Sequence, residues 1–270
     1  MWYRYAIAGP WYRTVLSEYA PPAERARHVI IDTLMMEAFG VTDKGCVRTN
    51  NEDAFLTAPD IGLYMVADGM GGALAGERAS ELAIQTVEEV MRQAPERSPE
   101  ALVEAFQEAN RRVRALAGSH ADFAGMGTTL VAAQESGDQL LLASVGDSRG
   151  YILEDGELRA ITEDQTWVNE VGRRLGIAEE ALRQHPMRHV LTMAVGLGDP
   201  LRVHSYTVPM RPGTQVILAT DGLHGVVDTP IIAEVIKKPI SLETQGHYLL
   251  EAARKAGGPD NITVVLLRSA

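Results

Sequence analysis

Two glycine–aspartate turns constrain the fold most. Short apolar runs at Thr128–Ala133, Gln139–Val145, Arg149–Leu153 and Glu157–Ile161 are joined by Gly137-Asp138 and Asp155-Gly156. Such pairs accept the positive φ of a two-residue hairpin, which short β-forming runs on either side then extend. A third hairpin is read at Ala54-Phe55-Leu56 and Leu63–Ala67, across Pro59-Asp60-Ile61-Gly62. Neighbouring hairpins build antiparallel sheet and argue against a doubly wound parallel fold.

Helices fill the intervals. Glu77–Met91 places Ala79, Leu82, Ala83, Thr86, Val87 and Val90 on one face. Ser98-Pro99-Glu100 has the composition of a helix start, with Ser98 as cap and Pro99 in the first turn. Asp164–His189 reads as a charged helix ended by His185-Pro186, Thr229-Pro230 opens a helix to Lys237, and Ser241–Lys255 is amphipathic. Glu37–Val41, Arg202–Val208, Thr214–Ala219 and Ile262–Leu267 read as strands. The pattern predicts an α+β fold of antiparallel sheets covered by helices.

Composition narrows the function classes. A length of 270 residues with 46% hydrophobic and 23% charged residues is that of a globular chain with a sizeable core. The net charge of −11 argues against a nucleic-acid partner, which needs a basic face. Cys46 is the single cysteine, so no intramolecular disulfide forms and a thiolate zinc site is not expected. No run of 18 apolar residues suggests a membrane span, and the first 30 residues show no signal-peptide core, so a cytoplasmic location is expected. Residues 1–35, rich in aromatics and broken by Pro10, Pro21 and Pro22, read as an extension or an upstream start; 36–270 reads as a single domain.

Aspartates at the margins of apolar runs are the candidate chemistry. Leu63–Ala67 ends in Asp68-Gly69-Met70-Gly71-Gly72, Leu218-Ala219-Thr220 runs into Asp221-Gly222, and Asp260-Asn261 precedes the last strand. Asp53 borders the first hairpin and Asp147 follows Gln139–Val145. Carboxylates gathered at one rim of a sheet repel each other unless cations lie between them, and oxygen ligands suit Mg²⁺ or Mn²⁺. The seven histidines show no paired zinc spacing and read as solvated or core residues.

Arg48-Thr49-Asn50-Asn51-Glu52-Asp53, Asp68-Gly69-Met70-Gly71-Gly72, Gly127-Thr128-Thr129, Gly146-Asp147-Ser148-Arg149, Thr220-Asp221-Gly222 and Asp260-Asn261 occur in one order. In that order they resemble the type 2C, metal-dependent (PPM) protein serine/threonine phosphatases in their bacterial form. The resemblance implies two stacked antiparallel β-sheets flanked by helices. It implies hydrolysis of phosphoserine and phosphothreonine by direct attack of a hydroxide bridging two Mn²⁺ or Mg²⁺ ions. In that scheme Asp68 bridges the ions and the Gly69 carbonyl ligates one. Asp221 and Asp260 hold one ion, Glu52 acts on the other through water, and Asp53 lies beside it. Arg48 clamps the phosphate, Asp147 helps hold a weaker third ion, and Asp164–His189 forms a mobile flap.

The resemblance further implies phosphoprotein partners, a bacterial serine/threonine kinase and its targets among them, and a monomer. Animal members carry a histidine as proton donor directly after the Asp-Gly; here that place is Met70. Two rival readings are a phosphatase-like domain that binds phosphoproteins without turnover, and a nucleotide-binding loop at Gly69-Met70-Gly71-Gly72. Leu74 in the third glycine's place and the absence of a Gly-Lys-Ser/Thr sequence argue against the second.

Overall fold

The structure is a computed structural model that describes residues 36–72 and 74–269; the amino-terminal segment read as an extension lies outside the described residues. The strands are β1 Met36–Asp43, β2 Asp53–Ala58, β3 Leu63–Met70, β4 Gly127–Thr128, β5 Leu130–Ser136, β6 Gln139–Val145, β7 Arg149–Glu154, β8 Glu157–Ala160, β9 His204–Pro209, β10 Gln215–Ala219 and β11 Ile262–Ser269. The helices are α1 Ala75–Gln93, α2 Pro99–Ala117, α3 Glu179–Arg183, α4 Asp221–His224, α5 Thr229–Ile236 and α6 Leu242–Lys255. One sheet has the order β1-β11-β10-β7-β8; the other is β2-β3-β5-β6-β9, with β4 paired to β3.

The two-residue period of the strands builds the layers. On β3, Leu63, Met65 and Ala67 pack with Ala79, Ala83, Phe106 and Val113 of α1 and α2. Tyr64 and Val66, between them, join Val131, Leu142, Val216 and Val265 in the core between the sheets. On β11 the same alternation sends Ile262, Val264 and Leu266 to Leu249 and Ala253 of α6 and Ile232 of α5. The result is helices, sheet, sheet, helices. Phe106 is fully buried, so its truncation to alanine should cost roughly 3–5 kcal/mol.

Local signals fall where the sequence puts them. The Ser98 hydroxyl accepts a hydrogen bond from the Ala101 amide at 3.2 Å, with Pro99 in the first turn of α2. The β7–β8 turn has Asp155 at φ 50° and Gly156 at φ 78°, the mirror-image geometry that matches strand twist.

The two predicted glycine–aspartate hairpins form, and the structure adds the connection between them and corrects one other segment. Although β6 and β7 are consecutive, they do not form a hairpin: β6 pairs with β5 and β9, β7 with β8 and β10. The chain changes sheets at Gly146-Asp147-Ser148. Gly146, at φ 95°, turns it, and the Gly146 amide is held by the Gln165 side chain at 2.9 Å.

The correction concerns Asp164–His189, which is not one helix. It contains a five-residue π turn, Val168–Gly172, and the short α3. Gly172 and Gly176 interrupt it, the latter at φ 72°. Its start also bonds across space rather than along a helix: the Trp167 amide donates to the Val190 carbonyl and the Thr192 amide to the Gln165 carbonyl, both at 2.8 Å. Among the described residues no helix is long and apolar enough to cross a membrane.

Candidate active site

β2 and β3 carry the first two carboxylates. Asp53 opens β2 and lies opposite Asp68 in the antiparallel register. β3 runs on through Asp68 and Gly69 to Met70, where β4 pairs with it. Asp221 begins α4 directly after β10, Asp260 stands two residues before β11, and Asp147 sits at the crossing between sheets. β10 and β11 are neighbours, so Asp221 and Asp260 reach the same end of the sandwich.

Close backbone approach makes this convergence possible. A Cβ on Gly69 would lie 2.1 Å from the Gly76 carbonyl oxygen, and one on Gly222 would lie 1.8 Å from that of Asn261. Both positions therefore accept only glycine without rearrangement. Hydrogen bonds then lock the strand ends. The Thr129 hydroxyl accepts from the Asp68 amide at 2.9 Å and stands 2.7 Å from the Ser148 hydroxyl. The Asn261 side chain accepts from the Glu52 amide at 2.8 Å and donates to the Lys44 and Asn50 carbonyls. The Thr220 hydroxyl donates to Asp53 at 2.9 Å.

A cavity of about 440 Å³ opens at this end of the sandwich. Arg48, Glu52, Asp68, Asp147, Asp221 and Asp260 line it, as do the Gly69 backbone and Met70. Asp53 does not line it; it is buried behind, against Thr220. The structure thus brings seven of the eight sequence-predicted residues to one cavity and sets the eighth beneath them.

The electrostatics are those of uncompensated negative charge. Among the described residues none of Asp53, Asp68, Asp147 and Asp221 forms an ion pair, and Asp53 Oδ1 and Asp221 Oδ1 are buried without a hydrogen-bond partner. Burial, with repulsion from Asp53, Asp221, Asp147 and Asp260, holds the Asp68 carboxyl well above its ordinary range. Burial pushes Asp53 and Asp147 up to about 7, each with a further push from Asp221. Asp221 is raised by burial and by Asp260, with Arg48 and His189 offsetting part of the rise. Asp260 alone has a basic partner, Arg48, at 2.7 Å. As placed, no three His, Cys, Asp or Glu side chains among the described residues are grouped tightly enough to hold one ion.

Still, the donor set fits hard divalent cations: oxygen ligands only, several carboxylates, and orphaned buried oxygens whose cost a cation would remove.

Sequence reasoning missed two contributors. Thr220 presents no signal beyond its place before Asp221. His189, read as solvated or core, lines the cavity as well. A lone histidine inside a charged segment carries no periodicity that would mark it.

The family model for protein phosphatase 2C matches residues 47–255, and the chain belongs to that family. It is 36% identical over 234 residues to the serine/threonine phosphatase Stp of Listeria welshimeri, covering 84% of this chain and 93% of that protein. The crystal structure of the Mycobacterium tuberculosis serine/threonine phosphatase PstP/Ppp superposes with a TM-score of 0.80 at 35% identity, covering 87% of this chain and 98% of that one. The catalytic domain of a serine/threonine phosphatase PstP, solved with two manganese ions, matches at a TM-score of 0.77 and 34% identity, over 86% of this chain and 97% of that one.

Proposed function

We infer that this chain is a protein serine/threonine phosphatase that hydrolyses phosphoserine and phosphothreonine esters with two divalent cations, Mn²⁺ or Mg²⁺. The observation that carries the cation reading is the group Asp68, Asp147 and Asp221 at one cavity, raised in pKa by burial and mutual repulsion and without basic partners. Bound cations would neutralise that charge and bring the ionisation of water near neutral pH.

The residues take the following parts. Asp68 would contact both ions and the Gly69 carbonyl one of them. Asp221 and Asp260 would hold one, and Glu52 with Asp53 behind it would serve the other. Asp147 would contribute to a weaker third site. Binding an ion would draw Asp260 off Arg48 and free the guanidinium for a phosphate, whose oxygens it fits bidentately.

A larger cavity of about 590 Å³, lined by Arg149, Arg173, Arg174 and Arg202, holds none of the orphaned buried carboxylate oxygens that call for cations. Arg48 and every expected carboxylate except Asp53, which lies behind against Thr220, line the carboxylate cavity, and no observation favours a domain that binds without turnover. Residues 36–270 are proposed as the catalytic domain, acting as a cytoplasmic monomer on a bacterial serine/threonine kinase and its phosphorylated targets. The lone free thiol, Cys46, is compatible with a reducing compartment.

The test is release of phosphate from a phosphothreonine peptide with Mn²⁺, against a chelator control and Asp68→Asn. Turnover that needs the ion and vanishes in the variant is expected. Turnover indifferent to chelation would overturn the reading.

A further inference from the structure

We propose that His189 is the proton donor to the leaving seryl or threonyl oxygen. This inference rests on the phosphatase reading above. An alkoxide is a poor leaving group, so breaking its P–O bond calls for a proton at that oxygen in the transition state. Met70 follows Gly69 and lines the cavity, but a thioether has no proton to give.

Elimination and placement point to His189. Among the described residues lining the cavity it is the only imidazole. Arg48 holds its protons too tightly to pass one on. The lining carboxylates are those assigned to cations, and a carboxylate that ligates a cation is deprotonated. The Thr129 hydroxyl is a far weaker acid and is engaged by the Asp68 amide and the Ser148 hydroxyl, and Leu191 and Leu197 carry no exchangeable side-chain proton.

His189 is exposed, yet its backbone is not free. The next residue, Val190, accepts from the Trp167 amide at 2.8 Å, and Thr166 and Leu191 form an antiparallel bridge. Gln165, at the start of that pairing, exchanges two hydrogen bonds with Gly146: its backbone amide donates to the Gly146 carbonyl and its side-chain oxygen accepts from the Gly146 amide, each at 2.9 Å. The segment is therefore tied to the residue before Asp147. On its other side, Trp167 stacks on His185 with ring centroids 4.4 Å apart. That pairing sets His189 at the edge of the cavity.

The step balances as follows. The attacking oxygen bonds to phosphorus as the P–O bond to the side-chain oxygen breaks. The imidazolium proton moves to the departing oxygen, giving a free serine or threonine hydroxyl. His189, left neutral, regains a proton from the water ionised for the next turnover. The products are alcohol and inorganic phosphate.

The experiment compares leaving groups in full-length wild type and His189→Gln with Mn²⁺. A phosphothreonine peptide needs the proton; p-nitrophenyl phosphate, whose phenolate departs as a stabilised anion, needs it far less. We expect kcat on the peptide to fall ~10²-fold and kcat on the aryl ester to fall at least ten times less, with a steeper dependence on leaving-group basicity across substituted phenyl phosphates. An equal loss on both substrates, or no loss on either, overturns the proposal. If wild type itself fails on both, the phosphatase reading is what fails.

Discussion

The strand-end carboxylates and the segment from Asp164 to Leu201 both line the carboxylate cavity, and they are held by different means. Asp53, Asp68 and Asp221 sit on or beside paired strands, behind which the core is completely buried. His189, Leu191 and Leu197 lie in irregular backbone, held by isolated bridges such as Thr166–Leu191 and Thr128–Val195 and by exposed ion pairs such as Arg173–Glu179 and Arg202–Glu170 instead of by continuous strands. Surface pairs of that kind contribute little stability. One wall therefore stores electrostatic strain on a rigid frame; the other is cheap to rearrange. A phosphatase needs both, since charge must be fixed where water is ionised while a phosphopeptide enters and leaves.

Asp68→Asn strikes the rigid wall hardest. It should lower kcat on a phosphothreonine peptide by ~10³-fold or more. Because it removes a buried charge that repels its neighbours, Tm in the presence of chelator should hold or rise. A large loss of both activity and Tm would mean that Asp68 supports the fold instead.

Arg48→Ala tests the exposed rim. Steady-state kinetics should show KM for the phosphopeptide raised roughly 10- to 100-fold, with a smaller change in kcat. An unchanged KM with altered metal stoichiometry would remove Arg48 from phosphate binding.

pH sharpens the contrast without mutation. Asp53 and Asp147 have folded-state values pushed from 3.8 up to about 7, so the folded chain binds protons more tightly than the unfolded one. The associated stability is full below 3.8 and is lost as pH rises through about 7. With chelator, Tm measured by calorimetry should fall between about pH 5 and about pH 8; saturating Mn²⁺ should flatten that fall, because cations bind the deprotonated form. A flat profile without metal would contradict the account of the carboxylate wall.

The smallest effect belongs to the irregular segment. Gly176→Ala places a Cβ on backbone at φ 72°, in open space, and should cost about 1 kcal/mol in denaturant unfolding while leaving hydrolysis of p-nitrophenyl phosphate within a factor of about two. A larger loss of either would mean this wall is as rigid as the other.

The same contrast explains what could be read in advance. Gly137-Asp138 and Asp155-Gly156 announce hairpins because the information is local, and Ser98 announces a helix start for the same reason. Asp68, Asp221 and Asp260 stand out in the sequence because each borders an apolar β run. Asp164–His189 was misread as a helix because its defining hydrogen bonds, from Trp167 to Val190 and from Thr192 to Gln165, join residues more than 20 positions apart. The crossing at Gly146-Asp147-Ser148 was hidden because nothing local distinguishes a strand that turns back from one that changes sheet. His189 went unnoticed for a related reason: only that non-local pairing carries it to the cavity.

The central claim is that Asp68, Asp221 and Asp260 share divalent ions, and anomalous diffraction from crystals soaked in Mn²⁺ tests it most directly. The account predicts two strong peaks in the cavity, within ligand distance of these carboxylates, with Asp260 turned away from Arg48. Manganese density elsewhere, or none between Asp68 and Asp221 at saturating Mn²⁺, would contradict it.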